Sequence, residues 1–183
     1  MGVVPQRKAG TDSVPRMANV TTNEPTNLFA GLLQEHARIE DRLKALDQAA
    51  VVLSRDEGDA AALAVVAETL SFFASEGARH EAHEELTLFP RLRPLPEFKQ
   101  ILSALEFQHR MNDTAAKELA ACVARFAPGS GRELRLLAYR FAEMHRGHAI
   151  AEERSLFDLA AARLSPEMQA EMAREMRERN GAG

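Results

Sequence analysis

From Thr26 onward, apolar residues recur at steps of three and four, the spacing of helices that bury one stripe. A first helix is predicted over 27–53, with Leu32, His36, Ile39, Leu43, Leu46, Ala50 and Leu53 on one line. A second, over 60–89, aligns Leu63, Val66, Leu70, Phe73, Gly77, His80, Glu84 and Thr87. The third, over 97–126, aligns Phe98, Leu102, Leu105, His109, Asn112, Ala116, Leu119, Val123 and Phe126. A fourth, over 132–164, aligns Leu134, Ala138, Phe141, His145, His148, Glu152, Ser155, Leu159 and Ala162. The breaks are Ser54-Arg-Asp-Glu-Gly-Asp59, the prolines 90, 94 and 96, and Pro128-Gly-Ser-Gly131. Ser165-Pro166 then opens a short fifth helix, with Met168, Met172 and Met176 as its packing face. Four stripes joined by short connections predict an all-α fold. Its expected form is an up-down-up-down antiparallel four-helix bundle with a short C-terminal fifth helix.

The expected division is a flexible leader over 1–25, the bundle over 26–164, and a C-terminal helix and tail over 165–183, with Met17 as an alternative start. With 183 residues and 45% apolar composition, one domain can bury a substantial core. A net charge of -4 with no basic stripe argues against a nucleic-acid partner. The longest uninterrupted apolar run, Ala60 to Ala67, is too short for a bilayer, and no signal-peptide core precedes the bundle. The lone Cys122 has no internal disulfide partner and reads as packing. A cytoplasmic protein away from membranes is expected.

One phrase occurs twice. His80-Glu-Ala-His-Glu-Glu-Leu-Thr-Leu-Phe89 returns 68 residues later as His148-Ala-Ile-Ala-Glu-Glu-Arg-Ser-Leu-Phe157. In each copy a histidine and a glutamate stand four apart and so share one helix face. Counting from each shared loop at about 1.5 Å per residue puts His36, His80, His109 and His148 at one depth. Glu84 and Glu152 lie one turn along. The layer is expected nearer the end holding the second connection and the start of the first helix.

Unpaired, each such buried polar group costs about 1–3 kcal/mol, and an ionised carboxylate costs more. Six together rival the whole stability of a domain, roughly 5–15 kcal/mol, so a metal is a more direct compensation than mutual hydrogen bonds. Four imidazoles and two carboxylates exclude a thiolate zinc site and are too rich in nitrogen for calcium or magnesium. Carboxylates facing each other across a bundle tend to bridge two metals, leaving positions free for water or a diatomic gas.

The order His, His-x-x-x-Glu, His, His-x-x-x-Glu, with Glu-Glu-x-x-Leu-Phe in the second and fourth elements, resembles the hemerythrin-like family (the HHE cation-binding domain) over about 27–160. The resemblance implies two non-haem iron ions with a bridging oxo or hydroxo group. His36, His80, His109 and His148 would be terminal ligands, and Glu84 and Glu152 bridges. It implies a protein that binds or senses O2, NO or peroxide, or alternatively a peroxide-decomposing enzyme; the protein partner is unknown. Two departures from the oxygen carriers stand out: Asp113 replaces their second third-helix histidine, and Glu152, at a spacing of four, replaces an aspartate at five. Reversible oxygen transport is therefore not implied.

His145 and His83 are candidates for additional ligands or supporting groups. Asn112, Glu85 and Glu153 are candidates for orienting a ligand. Glu40 and Asp113 read as solvent-side salt-bridge partners, and Tyr139 as structural. A ferritin-like alternative needs two Glu-x-x-His motifs, and only Glu106-Phe-Gln-His109 matches.

Overall fold

Three of the five described helices begin where a polar side chain satisfies a free amide. In the computed structural model, which describes residues 27–181, Asn27 Oδ1 accepts from the amides of Phe29 and Ala30 at 3.0 and 3.3 Å, opening α1 (Leu28–Leu53). Asp59 accepts from the Ala62 amide at 2.9 Å and opens α2 (Ala60–Leu92). A single 3-10 turn, Pro96–Phe98, leads into α3 (Lys99–Ala124). Helix α4 spans 131–163, and α5 (Pro166–Gly181) starts at Ser165, whose hydroxyl accepts from the Met168 amide at 3.3 Å. The leader expected over 1–25 lies outside the described residues.

The described chain is all-helical. Helix α1 packs on α2 and α4, and α3 packs on α4 and more lightly on α2. Two apolar clusters fill the interior. One gathers Leu28, Leu32, Leu88, Phe89, Phe98, Leu102, Leu156 and Phe157; the other gathers Leu43, Leu46, Val66, Leu119, Leu134 and Phe141. On all four long helices the histidine layer falls between the residues of the first cluster and those of the second. Met172 and Met176 of α5 join the first cluster, while Met168 stays 39% exposed. Cys122 is buried in the second cluster.

Three wide π-helical turns interrupt the long helices: Phe73–Gly77 and Glu84–Leu88 in α2, and Glu152–Phe157 in α4. Each adds a residue and rotates the stripe beyond it by about 100°. The predicted stripes drift accordingly. In α4, Ser155 and Ala162 are exposed and Leu159 is half-buried, whereas Leu156, Phe157, Ala160 and Leu164 face the core. In α2, counted back from His80 across the Phe73–Gly77 turn, Thr69 and Phe72 are buried, while Leu70 and Phe73 are only half-buried. Pro90 was expected to end the second helix, yet the helix continues to Leu92. The Phe89 amide bonds to the Glu84 carbonyl, and this wide turn accommodates a ring that would clash in a regular α-turn.

By length and composition α2 could cross a membrane, its best 18-residue window having mean hydropathy 1.3, a property shared with core helices of water-soluble bundles. Here its inward face carries His80, His83, Glu84 and Thr87.

At the end far from α5, the Glu57 carboxylate accepts from the amides of Gly129 and Gly131 at 2.6 and 2.7 Å, joining two connections. A Cβ at Gly131 would fall on the Leu53 carbonyl oxygen, well inside contact distance. Gly131→Ala is therefore expected to destabilise the fold by about 1–3 kcal/mol in urea denaturation. Gly147→Ala, with open space around the new methyl, is expected to be stabilising by about 0.5–1 kcal/mol.

Candidate metal centre

Each of the four long helices brings one histidine of the layer to the bundle axis, and α2 and α4 add a glutamate four residues on. His36, His80, His109 and His148 are at most 5% exposed, and Glu84 and Glu152 are fully buried. The rings meet in pairs: His36 Nε2 lies 3.2 Å from His80 Nε2, and His109 Nε2 lies 3.0 Å from His148 Nε2. Glu84 spans the pairs, with Oε1 3.1 Å from His80 Nε2 and Oε2 3.3 Å from His109 Nε2. Glu152 spans them from the other side, its Oε2 lying 3.2 Å from His36 Nε2 and 3.4 Å from His148 Nε2. The donor atoms form two overlapping groups, His36/His80/Glu84/Glu152 and Glu84/His109/His148/Glu152, that share both carboxylates.

The outward nitrogens decide what the inward ones present. His36 Nδ1 donates to Glu153 at 2.8 Å, His80 Nδ1 to Glu35 at 2.9 Å, and His109 Nδ1 to Glu85 at 2.7 Å. His148 Nδ1 donates to the Gln108 amide oxygen at 3.0 Å. With the proton of each neutral ring on Nδ1, all four Nε2 atoms turn lone pairs inward. Both oxygens of Glu84 and of Glu152 are buried without a hydrogen-bond partner. With neutral rings the centre is thus acceptors only, and a bound cation is its most direct compensation. Neighbouring ligands on one ion at about 2.1 Å lie ~3.0–3.4 Å apart, a range that the distances above match, while His148 Nε2 to Glu84 Oε2 is wider at 3.9 Å.

The hemerythrin HHE cation-binding domain family matches residues 27–178. The chain belongs to this family. No curated protein and no solved structure gives a significant match. The matched span of the HHE domain includes most of α5, past position 164.

The other candidates separate cleanly. His83 Nδ1 donates to Glu35 at 3.2 Å, so this carboxylate supports two rings, and His83 stays outside both donor groups. His145 Nδ1 donates to the Phe141 carbonyl at 2.9 Å, and its ring meets Phe73 edge-on at 4.5 Å. It too stands outside the donor groups. Glu85 and Glu153 orient His109 and His36. Asn112 orients no histidine; both polar atoms of its buried side chain lack a partner. Glu40 pairs with Arg146 at 2.9 Å, whereas Asp113 is exposed with no ion pair among the described residues. Tyr139 is exposed.

Glu35 and Gln108 were missed by sequence reading. Each immediately precedes a histidine of the layer but supports the histidine of the next helix, so helical periodicity gives no hint of it. The pairs Glu35-His36 and Gln108-His109 stand in equivalent places, and that parallel was the available signal. It also exposes a break in an approximate two-fold symmetry: the His36/His80 pair is backed by two carboxylates, and the His109/His148 pair by a carboxylate and an amide. A carboxylate makes imidazole a stronger donor, with effects of 10–100-fold on metal affinity.

In the HHE domain without metal, protons compensate part of the centre. Burial alone would lower His80, but the Glu84 charge and the bond to Glu35 outweigh it and raise its pKa to about 9. His109 is likewise raised to about 9, burial being outweighed by its contact with Glu84. Burial also opposes ionisation of Glu84, yet the surrounding imidazoles hold it well below the usual carboxylate range. Burial and the Glu84 charge push Glu152 up. Glu35, against the effect of burial, is held at about 2 by His80 and His83.

Because the folded values of His80 and His109 exceed the ordinary 6.5, their contribution to the metal-free fold is complete below about pH 6.5 and lost as pH rises through about 9. Thermal melts of chelated protein are expected to show a lower Tm at pH 9.5 than at pH 6.5, and metal affinity should rise over the same interval as those protons leave. Calorimetric metal titration is expected to resolve a tighter and a weaker event, and Gln108→Glu should tighten the weaker one by about tenfold or more.

Proposed function

We propose that the HHE domain holds two non-haem irons with a bridging oxo or hydroxo group. Its scaffold would be an up-down-up-down antiparallel four-helix bundle, and its role to bind or sense O2, NO or peroxide in the cytoplasm. The observation that carries this reading is the acceptor-only centre, in which four inward lone pairs and two shared carboxylates converge with their outward nitrogens already engaged. His36 and His80 would hold one ion, His109 and His148 the other, and Glu84 and Glu152 would bridge them. Bound iron supplies redox change and open coordination positions at an imidazole- and carboxylate-ligated site.

The chain's own groups do the rest. Two carboxylates neutralise part of the metal charge in a buried setting, where unpaired charge is costly. Glu35, Glu85, Gln108 and Glu153 fix the ring orientations. The apolar clusters on either side keep bulk water from the layer. In a second reading the same centre decomposes peroxide, with the cavity between α2 and α3 that Asn112 and His145 line as space for a substrate.

Metal analysis and an optical spectrum of protein purified under air test the assignment. Two irons per chain with near-ultraviolet oxo-bridge bands are expected, and one tightly held zinc without colour would reject it. His80→Ala and His148→Ala should each lose metal, while Tyr139→Phe should retain it. Stopped-flow mixing with hydrogen peroxide separates the readings: many turnovers without loss of iron mark the enzyme, and a single stoichiometric response marks the sensor.

A further inference from the structure

The cavity between α2 and α3 has a volume of about 470 Å³. A water occupies about 30 Å³ of liquid, so a diatomic gas or hydrogen peroxide would fill only a small share of it. Its walls are largely apolar, with Leu70, Phe73, Ala74, Ala116 and Phe141 among them. The groups at its margin that carry charge are Glu81, Asp113 and Lys117, an acidic balance that disfavours an anion.

Two buried polar residues line the cavity. Asn112 is 2% exposed, and neither its Nδ2 nor its Oδ1 has a hydrogen-bond partner. A buried amide left so costs stability unless something occupies the site. It lies one turn from His109 on the same inward face, and it also borders a cleft between α3 and α4 that His148 lines. The second residue is His145. Its Nδ1 is committed to the Phe141 carbonyl, so Nε2 is left as an acceptor. Burial lowers its pKa to about 4, leaving the ring uncharged near neutrality.

This lining asks for an uncharged molecule with an apolar body and a head that both donates and accepts hydrogen bonds. We infer that the cavity is a binding site for an alkyl or aryl hydroperoxide, its body against Phe73 and Phe141 and its O–OH head on the Asn112 carboxamide. Asn112 Nδ2 donates to a peroxide oxygen, and Oδ1 accepts from the terminal O–H. The inference rests on the peroxide reading of the metal centre for the chemistry of the head, but the cavity and its amide stand without any metal.

The test uses full-length protein loaded with zinc, which is redox-inert, and measures cumene hydroperoxide binding by calorimetry. Binding is expected, and Asn112→Leu should weaken it about tenfold, the equivalent of one lost hydrogen-bonding group. Ala116→Leu, which fills the apolar part, should abolish it. Removal of the unpartnered amide should also raise the Tm of unliganded Asn112→Leu by about 3 °C. The inference is overturned if cumene hydroperoxide fails to bind, or binds equally well to both variants. If iron-loaded protein still consumes hydrogen peroxide in that case, the metal reading survives without the cavity. Conversely, Asn112-dependent binding in a protein that never retains iron keeps the cavity and removes the metal reading.

Discussion

A buried cluster of lone pairs with no donor among them is the constraint on which the rest of this molecule depends. Four imidazole nitrogens and two carboxylates meet within a few ångströms, and every outward nitrogen is already engaged. Without positive charge the arrangement costs stability. Protons partly meet that need in the metal-free chain, as the raised values at His80 and His109 show. Cations meet it fully. The flanking apolar clusters make the demand acute, because they withdraw the water that would otherwise solvate these groups.

The wide turns belong to the same economy of space. Those at Glu84 and Glu152 begin at the two residues that span the histidine pairs. Each lets the helix present its glutamate to the layer and then rotate so that Leu88-Phe89 or Leu156-Phe157 seals the apolar end. A regular helix would keep Leu88 and Leu156 inward but turn Phe89 and Phe157 further from the core. The wide turn at Phe73–Gly77 sits instead beside the Asn112 cavity, where Gly77 leaves room for the Phe73 ring.

Much of this was legible in the chain. Stripe spacing and proline- or glycine-rich breaks located the helices to within a few residues, and counting from the loops placed the histidines at one depth. Two things were not legible. Periodicity assumes a constant turn, so it carried Ser155 and Ala162 inward where the structure turns Leu156, Phe157 and Ala160 inward. Residues that act across a helix boundary were also hidden. Glu35 and Gln108 sit off the apolar stripe, and only the packed neighbour shows which ring each one reaches. Glu85 and Glu153 were easier, because they flank residues already singled out by the repeat. Asn112 was visible as an oddity in a core stripe, but its lack of any partner is knowable only from the packed interior.

Two of the four supporting bonds cross between the first two long helices and the last two, while those of Glu35 and Gln108 stay within one half. His36 of the first half leans on Glu153 of the second, 117 positions away, and His109 of the second leans on Glu85 of the first. Neither half owns a finished centre. The layer therefore behaves as a clasp between chain halves, closing a long loop whose entropic cost grows only slowly with its length. Whatever fills the clasp ties the two halves together, so its loss would be felt first as loosened docking of one half on the other rather than as unwinding of any single helix.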